Sequence, residues 1–257
     1  MKYIILILSL ALVLVSCQPA PAPQTLTVFA ASSLTDAFQE IGRNFEAAHP
    51  GLQVTFNFGG SQMLRTQIEQ GAQADVFASA NTKEMDTLVS GGFVGASAPA
   101  IFLTNKLVVI LPASNPGDVT GLQDLAKTGL KLVLAAEEVP VGKYARQALD
   151  NLDKSMGAGF KDRVLANVVS NEDNVKQVLA KVQLGEADAG IVYVSDAVGA
   201  PDLKTLEIPA EDNVVAKYPL AALAKASNPE MAQAFMAYVL SPEAQAVLQK
   251  WGFLPVQ

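Results

Sequence analysis

From Leu26 onward the chain repeats one unit: an apolar run, a turn of small residues that includes a serine, and a stretch with helical periodicity. Leu26, Val28 and Phe29 read as a strand that stops at Ala30, Ala31, Ser32 and Ser33, after which Leu34, Phe38, Ile41 and Phe45 recur on one helical face. Leu52 to Phe58 alternates as a second strand, breaks at Gly59, Gly60 and Ser61, and passes into a helix carrying Leu64 and Ile68 that stops at Gly71. Ala74 to Ala78 reads as a buried strand, and a helix from Asn81 through Met85 and Leu88 ends at Gly91 and Gly92. Strands and helices in this alternation predict a parallel sheet with helices on both faces. Ligands of such sheets bind at the carboxyl ends of the strands, where both serine turns fall.

A second set of elements follows. Lys106 to Leu111 is a strongly apolar strand, and with the loop Ala113 to Thr120 it reads as the crossover into another lobe. Leu130 to Ala135 is a strand, and Glu138 to Gly142 opens a helix bearing Tyr144, Ala148, Leu149 and Leu152, with Pro140 suited to a first helical turn. A helix starting near Asn171 to Asn174 shows Val175, Val178, Leu179 and Val182 on one face before Gly185, and Ala189 to Val194 is a buried strand containing Tyr193. Leu203 to Ile208 and Pro219 to Ala224 read as further strands, the latter returning toward the first lobe. Two helices opened by Pro229 and Pro242 close the chain. At 257 residues and 50% hydrophobic content, two lobes can each bury a core. The expected class is α/β, with residues 25–104 and 217–257 in lobe one, residues 105–216 in lobe two, and a mixed sheet flanked by helices in each.

Residues 1–16 read as a secretory signal: one lysine and an apolar run from Tyr3 to Val15, which is too short for a membrane span. Leu14, Val15, Ser16 and Cys17 resemble the bacterial lipobox, so Cys17 is the expected lipidation site and residues 17–24 a Pro/Ala tether. The chain is therefore expected to be exported and held on the cell envelope, periplasmic or on the outer face of the plasma membrane. Its one cysteine permits no internal disulfide.

The formal charge of −7 becomes one unit more negative once Lys2 leaves with the signal, which argues against nucleic acid as a partner. Catalytic constellations are scarce. His49 is the only histidine, no G-x-S-x-G elbow accompanies a serine, and a zinc site would have to be built almost wholly from carboxylates. Neither nucleotide-binding glycine motif is present. Binding needs less. Two serine turns in the first half, and helix starts with a tyrosine in the second, can offer hydroxyls and free backbone amides to an anion. Ser33 could equally cap its helix, with Asp36 completing an approximate capping box. A set of donors without a carboxylate suits a fully deprotonated oxyanion.

These residues resemble the molybdate-binding lipoproteins and periplasmic proteins that deliver the oxyanion to an ABC transporter. The resemblance spans roughly Leu26 to Phe253. It rests on TVFAASSLTDAF, GGSQMLRTQIEQGAQADVFASAN, VPVGKYARQAL, GEADAGIVYVSDA and the terminal WGFLP. It implies a type II periplasmic-binding-protein fold, no catalysis, no cofactor, a monomer, and a partner permease with its ATPase. It also implies an oxyanion site without a direct metal ligand, made from the hydroxyls of Ser33, Ser61 and Tyr193 and the amides of Val141 and Val175. Ser32 stands as the alternative to Ser33, because this first turn carries two serines, and Gly59 and Gly60 occupy places where related proteins often have serines. Arg65, one turn into its helix, is expected to be solvated or paired with an acidic neighbour rather than bound to the anion. The other readings are a binder of sulfate or another tetrahedral oxyanion on the same fold, and an exported serine hydrolase using Ser33 or Ser61.

Overall fold

A computed structural model describes residues 24–256. The signal segment, Cys17 and all but the last residue of the expected tether lie outside the described residues. Gln24, read above as the end of the tether, is instead the first residue of a strand, its N–H donating to the Gly51 carbonyl at 3.0 Å.

The chain opens with β1 (Gln24–Ala31), a 3-10 turn (Ser32–Leu34) and α1 (Thr35–Ala48), followed by β2 (Leu52–Gly59) and α2 (Ser61–Glu69), then β3 (Val76–Ala78) and α3 (Thr82–Ser90). Next come β4 (Ala100–Asn105), β5 (Leu107–Leu111), β6 (Leu132–Ala135), α4 (Pro140–Met156), α5 (Phe160–Ala166), β7 (Val168–Glu172) and α6 (Val175–Gln183). The remaining elements are β8 (Ala189–Tyr193), α7 (Val194–Val198), β9 (Lys204–Glu207), β10 (Ala216–Ala222), α8 (Pro229–Val239) and α9 (Pro242–Lys250).

They build two five-stranded sheets of the same design. The first has the order β2-β1-β3-β10-β4 and the second β7-β6-β8-β5-β9. In each, four strands run the same way and one runs against them, because β10 and β5 enter their sheets from the opposite direction. The parallel strands point their carboxyl ends at the other lobe, which is where the helix starts described below converge.

Phe38, Ile41 and Phe45 are buried on one face of α1, as the 3.6-residue spacing requires, and Leu34, its N-cap, is buried too. Phe38 meets Phe56, Phe102 and Phe235 with ring centroids 5.8–6.1 Å apart. A second apolar cluster, with Phe29, Leu64, Phe77, Met85 and Leu88, brings α2 and α3 against the sheet. In lobe two α6 packs on β8 so closely that a Cβ at Gly190 would stand 3.0 Å from Val182 and 3.1 Å from Val178.

The chain changes sheets at Lys106, between β4 and β5, and returns between β9 and β10. Two asparagines hold these crossings. Asn105, fully buried, donates to Ser195 Oγ at 2.9 Å and accepts from the Lys106 N–H at 2.9 Å. Asn213 accepts from the Leu107 and Val214 amides and donates to the Leu107 carbonyl, tying the outgoing and returning segments together. β10 begins three residues before the proline at which the sequence predicted a strand start. Pro219 is accommodated because the pairing with β4 shifts register between Tyr218 and Pro219, a bulge where no ladder N–H is needed.

Candidate functional site

β1 and β2 lie side by side in register, with Ala31 opposite Gly59, so their carboxyl ends put the two serine turns next to each other. Ser33 sits in the 3-10 turn and Ser61 is the first residue of α2. From the other lobe come the first turns of α4 and α6, with Val141 second in α4 and Val175 first in α6, together with Tyr193 at the end of β8. Ser32, Ser33, Ser61, Val141, Val175 and Tyr193 all line one cavity between the sheets. Ala31, Gly59, Gly60, Ala80, Val139 and Pro140 complete its wall. The space within is about 10 Å³, far below the ~300 Å³ at which sites for drug-sized ligands begin.

Neither serine caps its helix. The N-cap of α1 is Leu34 and that of α2 is Gly60, and neither helix has a side-chain cap. The capping box expected from Ser33 and Asp36 is therefore absent, and both residues have other partners. Ser33 Oγ lies 2.9 Å from Tyr218 Oη, and Asp36 accepts from Lys176 at 2.7 Å. Ser61 Oγ accepts the Ala80 N–H at 3.0 Å. In lobe two the amides of Val141 and Val175 have no acceptor within their own helices, since both lie in the first turn. The side chain of Asn174 caps α6 further along, at the Gln177 N–H, and leaves Val175 alone. Tyr193 Oη is buried and, among the described residues, has no hydrogen-bond partner. Burial pushes its pKa well above the ordinary tyrosine value, so it stays a proton donor.

The cavity wall holds no lysine, arginine or histidine. Its positive potential comes from backbone dipoles, because the N-termini of α2, α4 and α6 open onto it. The nearest cation in sequence, Lys176, is second in α6. Its ammonium is spent on Asp36 of lobe one at 2.7 Å and Asp196 of lobe two at 3.4 Å. Burial works to lower the Lys176 pKa, but the two carboxylates outweigh it and the group is held above its ordinary value. Arg65 pairs with Glu84 at 2.7 Å and with Glu69, on a different surface from the cavity.

Close backbone approach explains two glycines, one between the lobes and one within lobe two. A Cβ at Gly60 would fall 2.5 Å from the Asp173 carbonyl oxygen of lobe two, beside the place where Gln62 Nε2 donates to that same oxygen at 3.3 Å. A Cβ at Gly142 would fall 2.0 Å from the Ala136 carbonyl oxygen, so only glycine lets the first turn of α4 sit against the loop that leaves β6. The two lobes are in contact across the cavity.

His49 ends α1, bonded through Nδ1 to the Phe45 carbonyl at 2.8 Å and packed tilted against the Phe45 ring at 4.1 Å between centroids. It reaches neither serine's turn, and each serine hydroxyl is engaged as just described. Among the described residues, no group of three or more His, Cys, Asp or Glu could hold a metal ion. Nor, among them, is any helix long and apolar enough to cross a membrane. Sequence reasoning missed Tyr218 and the Ala80 amide. Both lie away from the serines they contact, 185 and 19 positions along the chain, and Tyr218 precedes a proline that obscured its strand.

A profile of the family described as bacterial extracellular solute-binding protein matches residues 26–254. The molybdate-binding protein ModA of Mycobacterium tuberculosis is 39% identical over 231 residues, which cover 90% of this chain and 84% of that protein. YvgL of Bacillus subtilis, which carries the name of an ABC transporter substrate-binding lipoprotein, is 33% identical over 230 residues, covering 89% and 86% of the two chains. Among solved structures, the periplasmic molybdate-binding protein of Azotobacter vinelandii superposes with a TM-score of 0.80 at 24% identity, covering 90% of this chain and all of that one. At that identity the likeness speaks for the fold.

Proposed function

The chain belongs to the bacterial extracellular solute-binding proteins and, among them, to the molybdate-binding proteins, and from that membership we propose how it works as the capture component of a molybdate ABC transporter. Molybdate, or tungstate, is held between the lobes by the hydroxyls of Ser33, Ser61 and Tyr193 and the amides of Val141 and Val175. Ser32 is the near alternative to Ser33. The observation that carries this reading is the Tyr193 hydroxyl, buried and, among the described residues, unpartnered, lining the same cavity as the serine hydroxyls and the first turns of α4 and α6. Leaving such a group without a partner costs about 1–3 kcal/mol, which an anion oxygen would recover.

Because the donors come from both lobes, an ion bound by all of them stabilises only the closed arrangement. Binding is then a population shift toward the form that the permease and its ATPase recognise. The protein acts as a monomer, needs no cofactor and catalyses nothing; no charged base stands within the cavity wall to activate a serine. Cys17 carries the lipid that keeps the protein at the membrane surface, a reading supported by the lipobox-like residues and by the name of the Bacillus relative.

Thermal unfolding tests the ligand. At about 100 times its dissociation constant an ion adds about 2.7 kcal/mol, so molybdate should raise the melting temperature by about 5–10 °C. No shift with millimolar molybdate or tungstate would remove the proposal. The anchor is tested separately: Cys17→Ser should move the protein from the membrane to the soluble fraction of its host.

A further inference from the structure

Tyr218 does not line the cavity, yet it is the only hydrogen-bond partner found for the Ser33 hydroxyl among the described residues. It is fully buried on β10, at the bulge before Pro219, and is packed edge-on against Tyr193, Phe102 and Phe253 with centroids 5.8, 6.4 and 5.9 Å away. The 2.9 Å contact between Ser33 Oγ and Tyr218 Oη contains one proton, and either oxygen could supply it.

Two considerations decide the direction. Ser33 Oγ is the one group in good hydrogen-bond geometry with Tyr218 Oη among the described residues, Asn105 and Tyr193 lying outside that geometry, so if the serine donated, the phenol proton would lose its best-placed acceptor. A phenol is moreover the more acidic hydroxyl and the better donor. With the tyrosine donating, the single proton of Ser33 remains free to point into the cavity. The other serine turn is built the same way: the Ala80 N–H can only donate, so Ser61 Oγ accepts and its own proton is likewise released.

We propose that Tyr218 is a positioning residue for anion capture: by donating to Ser33 Oγ it commits the Ser33 hydroxyl as a donor to the ligand, as the Ala80 amide commits Ser61. This rests on the anion-binding reading above and adds a residue that never touches the ion. It also separates Ser33 from Ser32. Ser33 has a buried donor behind it that fixes its proton, whereas no hydrogen bond to the Ser32 hydroxyl is found among the described residues.

The test is a set of molybdate titrations on the protein and on Tyr218→Phe, Ser33→Ala, Ser61→Ala and the two double variants. Tyr218→Phe should weaken binding about tenfold alone and about tenfold again in the Ser61→Ala background, but less than about twofold in the Ser33→Ala background, where it has no proton left to orient. An equal loss in the Ser33→Ala background would overturn the proposal, since Tyr218 would then act through the fold, and so would no loss at all.

If Tyr218→Phe fails to fold, 3-fluorotyrosine placed at position 218 decides the direction. Its more acidic phenol should tighten molybdate binding if it donates to Ser33, and weakened or unchanged binding overturns the proposal. If the unsubstituted protein binds none of the ions, the functional reading fails first and takes this inference with it; binding without the coupling pattern removes the inference alone.

Discussion

The five donors differ in how they can be removed. Val141 and Val175 are nearly fully buried and contribute through the main chain, so a side-chain substitution there perturbs packing before it perturbs the ligand. Ser61 and Tyr193 contribute single atoms. Ser61→Ala and Tyr193→Phe should each weaken molybdate binding by roughly 1.5–3 kcal/mol, about 10- to 150-fold, the ordinary worth of a hydrogen bond to a charged group. The serine change should be the worse of the two, because it also strips the Ala80 N–H of its acceptor. Titration calorimetry of the two variants checks the order. At this scale the sequence displayed the donors but not what orients them. Ser33 and Ser61 stand out at the ends of apolar runs, while Tyr218 reaches Ser33 only through the pairing of distant strands.

Elements with strong periodicity were legible: α1, α2, α3, α4 and α6 each bury the apolar face that their spacing implies. The weaker ones were not. β7 is an edge strand of sequence VVSNE whose burial alternates while its residue types do not, the exposed Val169 sitting beside Val168 and a glutamate facing inward, so the sequence shows no apolar alternation. α5 and α7 span seven and five residues, too short for a helical repeat to show. β4 runs to Asn105 and β5 starts at Leu107, and of these two adjoining strands of different sheets only β5 was legible, as the apolar stretch from Lys106 to Leu111. Gly60 supplies the prediction for this scale. Its φ of −64° and ψ of 133° suit any residue, but a Cβ would meet the Asp173 carbonyl across the cavity. Gly60→Ala should therefore leave the ligand-free melting temperature within about 2 °C while weakening molybdate binding at least about tenfold, because each kcal/mol moves a domain of this size by only a few degrees. A large fall in ligand-free stability would show that the glycine serves the fold instead.

For the molecule as a whole, the ion triad of Lys176, Asp36 and Asp196 spans the lobes. Asp196 is fully buried, and that burial, opposed by Lys176, pushes its pKa up to about 6. A carboxyl whose folded pKa exceeds its unfolded value binds its proton more tightly in the folded state. Its contribution is complete below about pH 4 and is lost as the pH rises to about 6. Asp196→Asn, which cannot ionise, should thus gain on the unsubstituted protein between pH 4 and pH 6, by on the order of 3 kcal/mol in all, and hold that gain above pH 6. Melting temperatures of the pair across this range give the answer, and a constant difference would mean that Asp196 ionises as freely folded as unfolded. The lobed architecture itself was legible because the strand, turn and helix unit recurs on both sides of a crossing. The sign and reach of the interlobe charges were not, since Lys176 and Asp36 are 140 residues apart.

The central claim, that a cavity of neutral donors shared by two lobes captures a fully deprotonated oxyanion, is tested most directly by isothermal titration of the protein with molybdate, tungstate, sulfate and phosphate in parallel at neutral pH. The account predicts one site per chain for molybdate and tungstate, weaker or no binding of sulfate, and none of phosphate, which carries a proton that the cavity wall has no carboxylate to accept. Phosphate binding as tightly as molybdate, or no heat from molybdate at all, would contradict it.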